Sequence, residues 1–210
     1  MISKCRNTVL ICLAATAFLT SCVGIDTKVK IARNGSGKVE AEYRLSEELV
    51  AFGELEANKA ILPVPLTRED VENSLRSAEG LRLDSWSSSK DGTDLLIKTV
   101  ISFDTLDALM YYLDPRGELA RHTNESGVER ISFTVGEKLP RFDPDMKSIA
   151  EQAFAPYSFS FMVELPSSAK EASSGHPAVT LRQEDTKVYF EGKMKDIVTS
   201  EIPPSMGLAW

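Results

Sequence analysis

Polar and apolar residues alternate on both sides of a glycine-rich reversal near the start of the chain. Thr27, Val29 and Ile31 are separated by Lys28 and Lys30. After Asn34-Gly35-Ser36-Gly37, the residues Val39, Ala41, Tyr43 and Leu45 are separated by Glu40, Glu42 and Arg44. Period-two alternation around such a turn predicts an antiparallel hairpin whose strands carry one apolar and one highly charged face. Ser46 then stands as a helix cap before Leu49, Phe52 and Leu55, with Glu47 and Glu48 suited to the positive end of that helix, and Pro63 and Pro65 interrupt. Thr67-Arg68-Glu69-Asp70 has the form of a capping box for a second short helix bearing Val71, Leu75 and Ala78, with Gly80 at its end.

Strand patterns resume over 81–86 and 95–103, with Asp91-Gly92 in the turn between them. Asp104 and Asp107 bracket another helix start, followed by Leu106, Leu109, Met110 and Leu113. Residues 114–129 are polar and contain Pro115, Gly117 and Gly127, which reads as a long exposed loop. Ile131, Phe133 and Val135 predict a strand, and Asp143-Pro144 opens a helix with Met146, Ile149 and Phe154 on its face, stopped by Pro156. Tyr157, Phe159, Phe161, Val163 and Leu165 then alternate with Ser158, Ser160, Met162 and Glu164, the clearest half-buried strand in the chain. A serine- and alanine-rich loop is expected over 166–177, a strand over 188–190, a helical turn over 194–199 and a last strand over 206–210. Hairpins carrying helices predict an α+β fold, a mostly antiparallel sheet with several short helices packed on one face.

The 210 residues are 42% hydrophobic and 26% charged, the balance of a globular chain. All three cysteines, Cys5, Cys12 and Cys22, fall in the first 22 positions. The rest of the chain therefore has no disulfide, thiolate metal site or cysteine nucleophile. Lys4 and Arg6 precede an uncharged, mostly apolar run over 8–20, which as a helix spans about 20 Å against about 30 Å of hydrocarbon. This is the pattern of a secretory signal.

Leu19-Thr20-Ser21-Cys22 closes that run. An aliphatic residue, two small residues and a cysteine resemble the lipobox of bacterial lipoproteins. The resemblance implies cleavage before Cys22 and diacylglycerol on its thiol, which would discard Cys5 and Cys12 with the signal. It also implies a protein anchored to a membrane on the extracytoplasmic side. Residues 1–21 would be the signal peptide, 22–25 the lipidated cysteine and a short tether, and 26–210 a single domain. Losing residues 1–21 removes Lys4 and Arg6 from the 24 basic residues and none of the 31 acidic ones, leaving a formal charge of −9. That charge argues against nucleic acid as a partner. Lys28, Lys30, Arg33 and Lys38 follow the anchor and offer either a cationic contact with headgroups or a solvated strand face.

The remaining chemistry is sparse. Gly35-Ser36-Gly37-Lys38 has the ending of a phosphate loop, but Ala32 stands where the first glycine belongs and Val39 replaces the Ser or Thr, so a hairpin turn is the better reading. The two histidines, His122 and His176, fall in expected loops without clustered ligands, and Asp84, Asp91 and Asp94 lack the spacing of a calcium loop. Ser87-Ser88-Ser89 is not a nucleophile elbow. No metal, cofactor or catalytic residue is expected. Tyr157, Phe159 and Phe161, with Phe103, Phe133 and Phe190, either line a hydrophobic-ligand pocket or fill the core.

The hairpin over 29–38 with its Gly-Ser-Gly turn, Val188-Tyr189-Phe190 followed by Met194-Lys195-Asp196-Ile197-Val198, then Pro203 or Pro204 and the closing Leu208-Ala209-Trp210, resemble the LppM-type domain of bacterial lipoproteins. That resemblance implies an α+β extracytoplasmic domain that binds lipid, and it carries over no catalytic residue. The function expected is a non-catalytic binding module for lipid or another hydrophobic ligand. The alternative is an envelope protein that contacts other proteins.

Overall fold

In a computed structural model, residues 23–47, 65–135 and 142–210 are described. The chain opens with β1 (Val23–Ile31) and β2 (Gly37–Ser46), then α1 (Arg68–Leu75), β3 (Leu81–Asp91), β4 (Asp94–Phe103) and α2 (Leu106–Leu113). It continues through β5 (Ala120–Glu125), β6 (Val128–Thr134), α3 (Pro144–Phe154), β7 (Ser158–Glu164), β8 (Glu171–Ser174), β9 (Val179–Glu184), β10 (Lys187–Lys193), α4 (Met194–Val198) and β11 (Ser205–Ala209). The fold is α+β, with the strands mostly antiparallel.

They form two sheets where one was expected. Sheet A has the order β3-β4-β2-β1-β7-β10-β9, and sheet B the order β5-β6-β11-β8. Among the described pairings only β1 with β7 is parallel, aligning Val29 with Val163. One face of sheet A carries Val29, Ile31, Ile101, Phe103, Val163, Val188 and Phe190, all buried. The other carries Lys28, Lys30, Lys38, Glu40, Arg82 and Glu191, all exposed, as period-two alternation requires.

Helix starts follow local chemistry. Thr67 Oγ1 accepts from Asp70 N at 3.1 Å while Asp70 Oδ2 accepts from Thr67 N at 3.0 Å, completing the capping box of α1. Thr105 caps α2 through Ala108 N, and Asp143 caps α3 through Met146 N, with Pro144 in its first turn. The apolar sides of α1, α2 and α4 pack on the buried face of sheet A, and the main core lies between that face, these helices and Ile131, Met206, Leu208 and Trp210 of the sheet B segment. Burying these apolar surfaces together is what holds the two sheets to one another.

Several expectations change. Residues 23–25, read as a tether, are already strand, with Gly24 opposite Arg44 and Ile25 opposite Tyr43. The expected loop over 114–129 contains β5: the buried Asp114 carboxylate accepts from the amides of Arg116, Leu119 and Ala120 and bends the chain into that strand. The expected loop over 166–177 contains β8, and β9 carries no alternating pattern because only Val179 of it is buried. Met146 is 48% exposed, so α3 turns Ala150 and Ala153 inward instead. The helix expected after Ser46 on Leu49, Phe52 and Leu55 lies outside the described residues, as do Leu19, Thr20, Ser21 and Cys22.

Candidate functional site

The aromatic residues singled out by pattern are distributed over both sheets. Phe161 on β7 meets Phe133 on β6, ring centroids 4.9 Å apart and 62° between planes, and Phe190 on β10 at 6.2 Å. Phe190 has no exposed surface and Phe159 only 6%. Edge-to-face contact of this kind is favourable in its own right and fastens sheet B to sheet A. Tyr157 stands apart from that contact. Its hydroxyl donates toward both carboxylate oxygens of Asp94, at 3.2 and 3.3 Å, and its Cδ1 lies 3.2 Å from where a Cβ on Gly24 would be.

Open hollows occur on the outer faces of both sheets. On sheet A, Ser158 and Ser160 are shared by a hollow of about 210 Å³ toward Gly24, Asp26 and Arg44 and one of about 420 Å³ toward Thr180, Glu191 and Lys193. On sheet B, Arg121, Ser132, Gly207 and Ser173 stand in one row across the four strands. Two hollows, of about 420 and 480 Å³, share those four residues. Beside that row Arg130 makes a two-point ion pair with Glu171, at 2.5 and 3.0 Å. Both residues lie opposite Ala209 of the strand between them, whose small side chain leaves room for the pair to reach across.

The cations behind the expected anchor are placed differently from their order in the chain. β1 rises about 3.3 Å per residue, so the turn at Arg33 lies roughly 25 Å or more from Val23, several screening lengths away. Lys30 pairs with Glu164 at 2.8 Å and Lys38 with Asp84 at 2.8 Å. Lys28, Lys30 and Lys38 lie on the exposed face of the β1–β2 hairpin, and Arg33 lies in its turn.

Asp84 is the extra residue where the β3–β4 register shifts between Leu83 and Ser85. The bulge aims its carboxylate at Lys38 Nζ, at Ser102 Oγ (2.5 Å) and at Arg82 Nε (3.3 Å). The hydrogen bonds from Lys38 and Ser102 hold its pKa at about 2. Asp91 pairs with Arg44 at 2.7 Å and Asp94 lies 3.8 Å from the same guanidinium, so Asp84 faces different cations from the other two. Among the described residues no group of three His, Cys, Asp or Glu stands so as to hold a metal ion. Ser87, Ser88 and Ser89 lie exposed on β3.

Neither histidine environment was visible in the sequence. His122, on β5, is held between Asp107 of α2 and Glu129 of β6, 2.7 Å from each. His176, just beyond β8, is 3% exposed, and its Nδ1 accepts from Ala178 N at 3.1 Å. That leaves a proton on Nε2, which is buried with no hydrogen-bond partner. Asp107 and Glu129 lie 15 positions before and 7 after His122, spacings that carry no motif.

No protein-family model matches the chain, and no curated protein matches its sequence.

Proposed function

We propose that this chain is a lipid-anchored, extracytoplasmic bacterial lipoprotein whose two-sheet domain is a non-catalytic binding module. The observation that carries the reading is the order of a basic start, an apolar run and Leu19-Thr20-Ser21-Cys22, with β1 beginning at the next residue, Val23. A diacylglycerol on Cys22 would thus be joined directly to a central strand of sheet A, flanked by β2 and β7. Two or three acyl chains suffice for stable attachment, at about 0.8 kcal/mol per buried CH₂. Replacing Cys22 with Ala should abolish acyl labelling and leave an uncleaved precursor. Normal labelling and processing of that variant would overturn the reading.

For the ligand, two readings remain, a lipid or other hydrophobic molecule held among Tyr157, Phe159, Phe161, Phe133 and Phe190, or a protein of the envelope. Contact between the rings of Phe133, Phe161 and Phe190 favours the second, because a ligand would have to part them. The hollows over Ser158 and Ser160 and over Ser132 and Ser173 support it too, because they lie open on the outer sheet faces, where another protein can reach them. Native mass spectrometry of the full chain extracted from cells separates the two. A retained lipid on the domain supports the first, and a defined envelope protein that co-purifies supports the second.

A further inference from the structure

We propose that Asp107, His122 and Glu129 form a proton-operated clamp between α2 and sheet B, closed while the imidazole carries protons on both nitrogens and released when it loses one. His122 Nδ1 is 2.7 Å from Asp107 Oδ1, and Nε2 is 2.7 Å from Glu129 Oε2. An ionised carboxylate only accepts, so both contacts are hydrogen bonds only when both ring nitrogens are donors. A neutral ring must turn a lone pair toward one carboxylate, and that contact becomes repulsive.

The surroundings leave the ring as the natural donor to both. Asn124 Nδ2, two residues along β5, donates to Glu129 Oε1 at 2.5 Å and so leaves Oε2 to the imidazole. The charged groups that face His122 are Asp107 from α2 and Glu129 from β6. Among the described residues no lysine or arginine pairs with either. The cluster therefore carries a charge of about −1 when clamped and about −2 when the ring is neutral. Burial works against the charged ring, but the hydrogen bonds to Asp107 and Glu129, with their Coulomb attraction, outweigh it and raise the His122 pKa above its ordinary value.

The position makes release consequential. α2 is the connection from β4 of sheet A to β5 of sheet B, and it places Leu106, Leu109 and Met110 in the core between them. Glu129 also exchanges backbone hydrogen bonds with Trp210, 3.1 Å in each direction, tying the end of the β11 segment to the same point. The Asp107 side chain is 80% exposed and that of Glu129 31%, so the wetter contact, to α2, is the one that opens first. The clamp is independent of whether Cys22 is lipidated.

The test is a proton NMR titration of the histidines in the full chain, together with amide hydrogen exchange followed peptide by peptide. The expected result is a His122 midpoint above 6.5, with the amides of α2 and β5 exchanging about tenfold faster, after correction for intrinsic rates, once pH passes that midpoint. Asp107→Asn, at an exposed site, and Glu129→Gln should each lower the midpoint and flatten the step in exchange. A His122 midpoint at or below 6.5, or α2 and β5 protection that stays constant across it, overturns the proposal.

Discussion

A Cβ on Gly37 would stand 2.4 Å from Cζ of Phe103 and 2.1 Å from the Lys30 carbonyl oxygen. Phe103 is 1% exposed and cannot swing away, so the start of β2 requires glycine for space. Gly35, two residues earlier, meets nothing within 4 Å but has φ +80°, so it is needed for its backbone conformation instead. These two requirements account for the Gly-Ser-Gly-Lys sequence without a phosphate. Gly37→Ala should cost about 3 kcal/mol and Gly35→Ala about 1 kcal/mol, read from urea melts. Equal costs would contradict the assignment of separate roles.

The aromatic contact between sheets predicts a core response to truncation. Phe190→Ala should lower stability by about 4 kcal/mol, the usual cost of emptying a buried phenylalanine site. Phe161→Ala, which removes the ring between Phe133 and Phe190, should loosen sheet B and speed amide exchange in β6. A pocket-lining role would instead leave stability nearly unchanged and abolish ligand retention. Melting curves of the two variants discriminate.

Asp84 should resist acid. Its folded pKa of about 2 lies below its ordinary value of 3.8, so the stability it contributes is fully present above about 3.8. That contribution fades as pH falls through about 2. Carboxyl carbon NMR should show Asp84 ionised at pH 3, and Lys38→Met should raise its midpoint. An Asp84 midpoint near 3.8 in the parent chain would contradict the bulge geometry.

His176 and His122 should act on stability in opposite directions. Burial lowers the His176 pKa, so the folded state resists its protonation and stability falls as pH drops below 6.5. His122, with its pKa raised, contributes stability that is fully present below 6.5 and is lost as pH rises through its folded value. His176→Asn retains an acceptor for the Ala178 amide and removes the titration, so the loss on the acid side should disappear in that variant. The alkaline side should be unchanged. Thermal melts between pH 5 and 9 measure both.

Legibility followed the strength of local signals. The β1–β2 hairpin, the caps at Thr67 and Asp143 and the strand through Phe161 were all readable, because each rests on neighbours along the chain. β5 was not. Its sequence, Ala-Arg-His-Thr-Asn-Glu, has polar residues on both faces, and the feature that starts it is Asp114 gathering amides from a turn. The bulge at Asp84 was equally silent, since a register shift leaves no periodic mark until the partner strand is known.

By itself the sequence determined which residues alternate into strands, where helices begin, that cysteine chemistry is confined to the first 22 positions, and that Cys22 closes a lipobox-like run. Only the tertiary structure decided that there are two sheets, that β1 and β7 pair in parallel, that Phe161 meets Phe133, and that His122 is held between two carboxylates. Period and capping act over a few residues and state which face a side chain takes. Which other face it meets depends on burial of apolar surface across the whole chain, and no local pattern carries that.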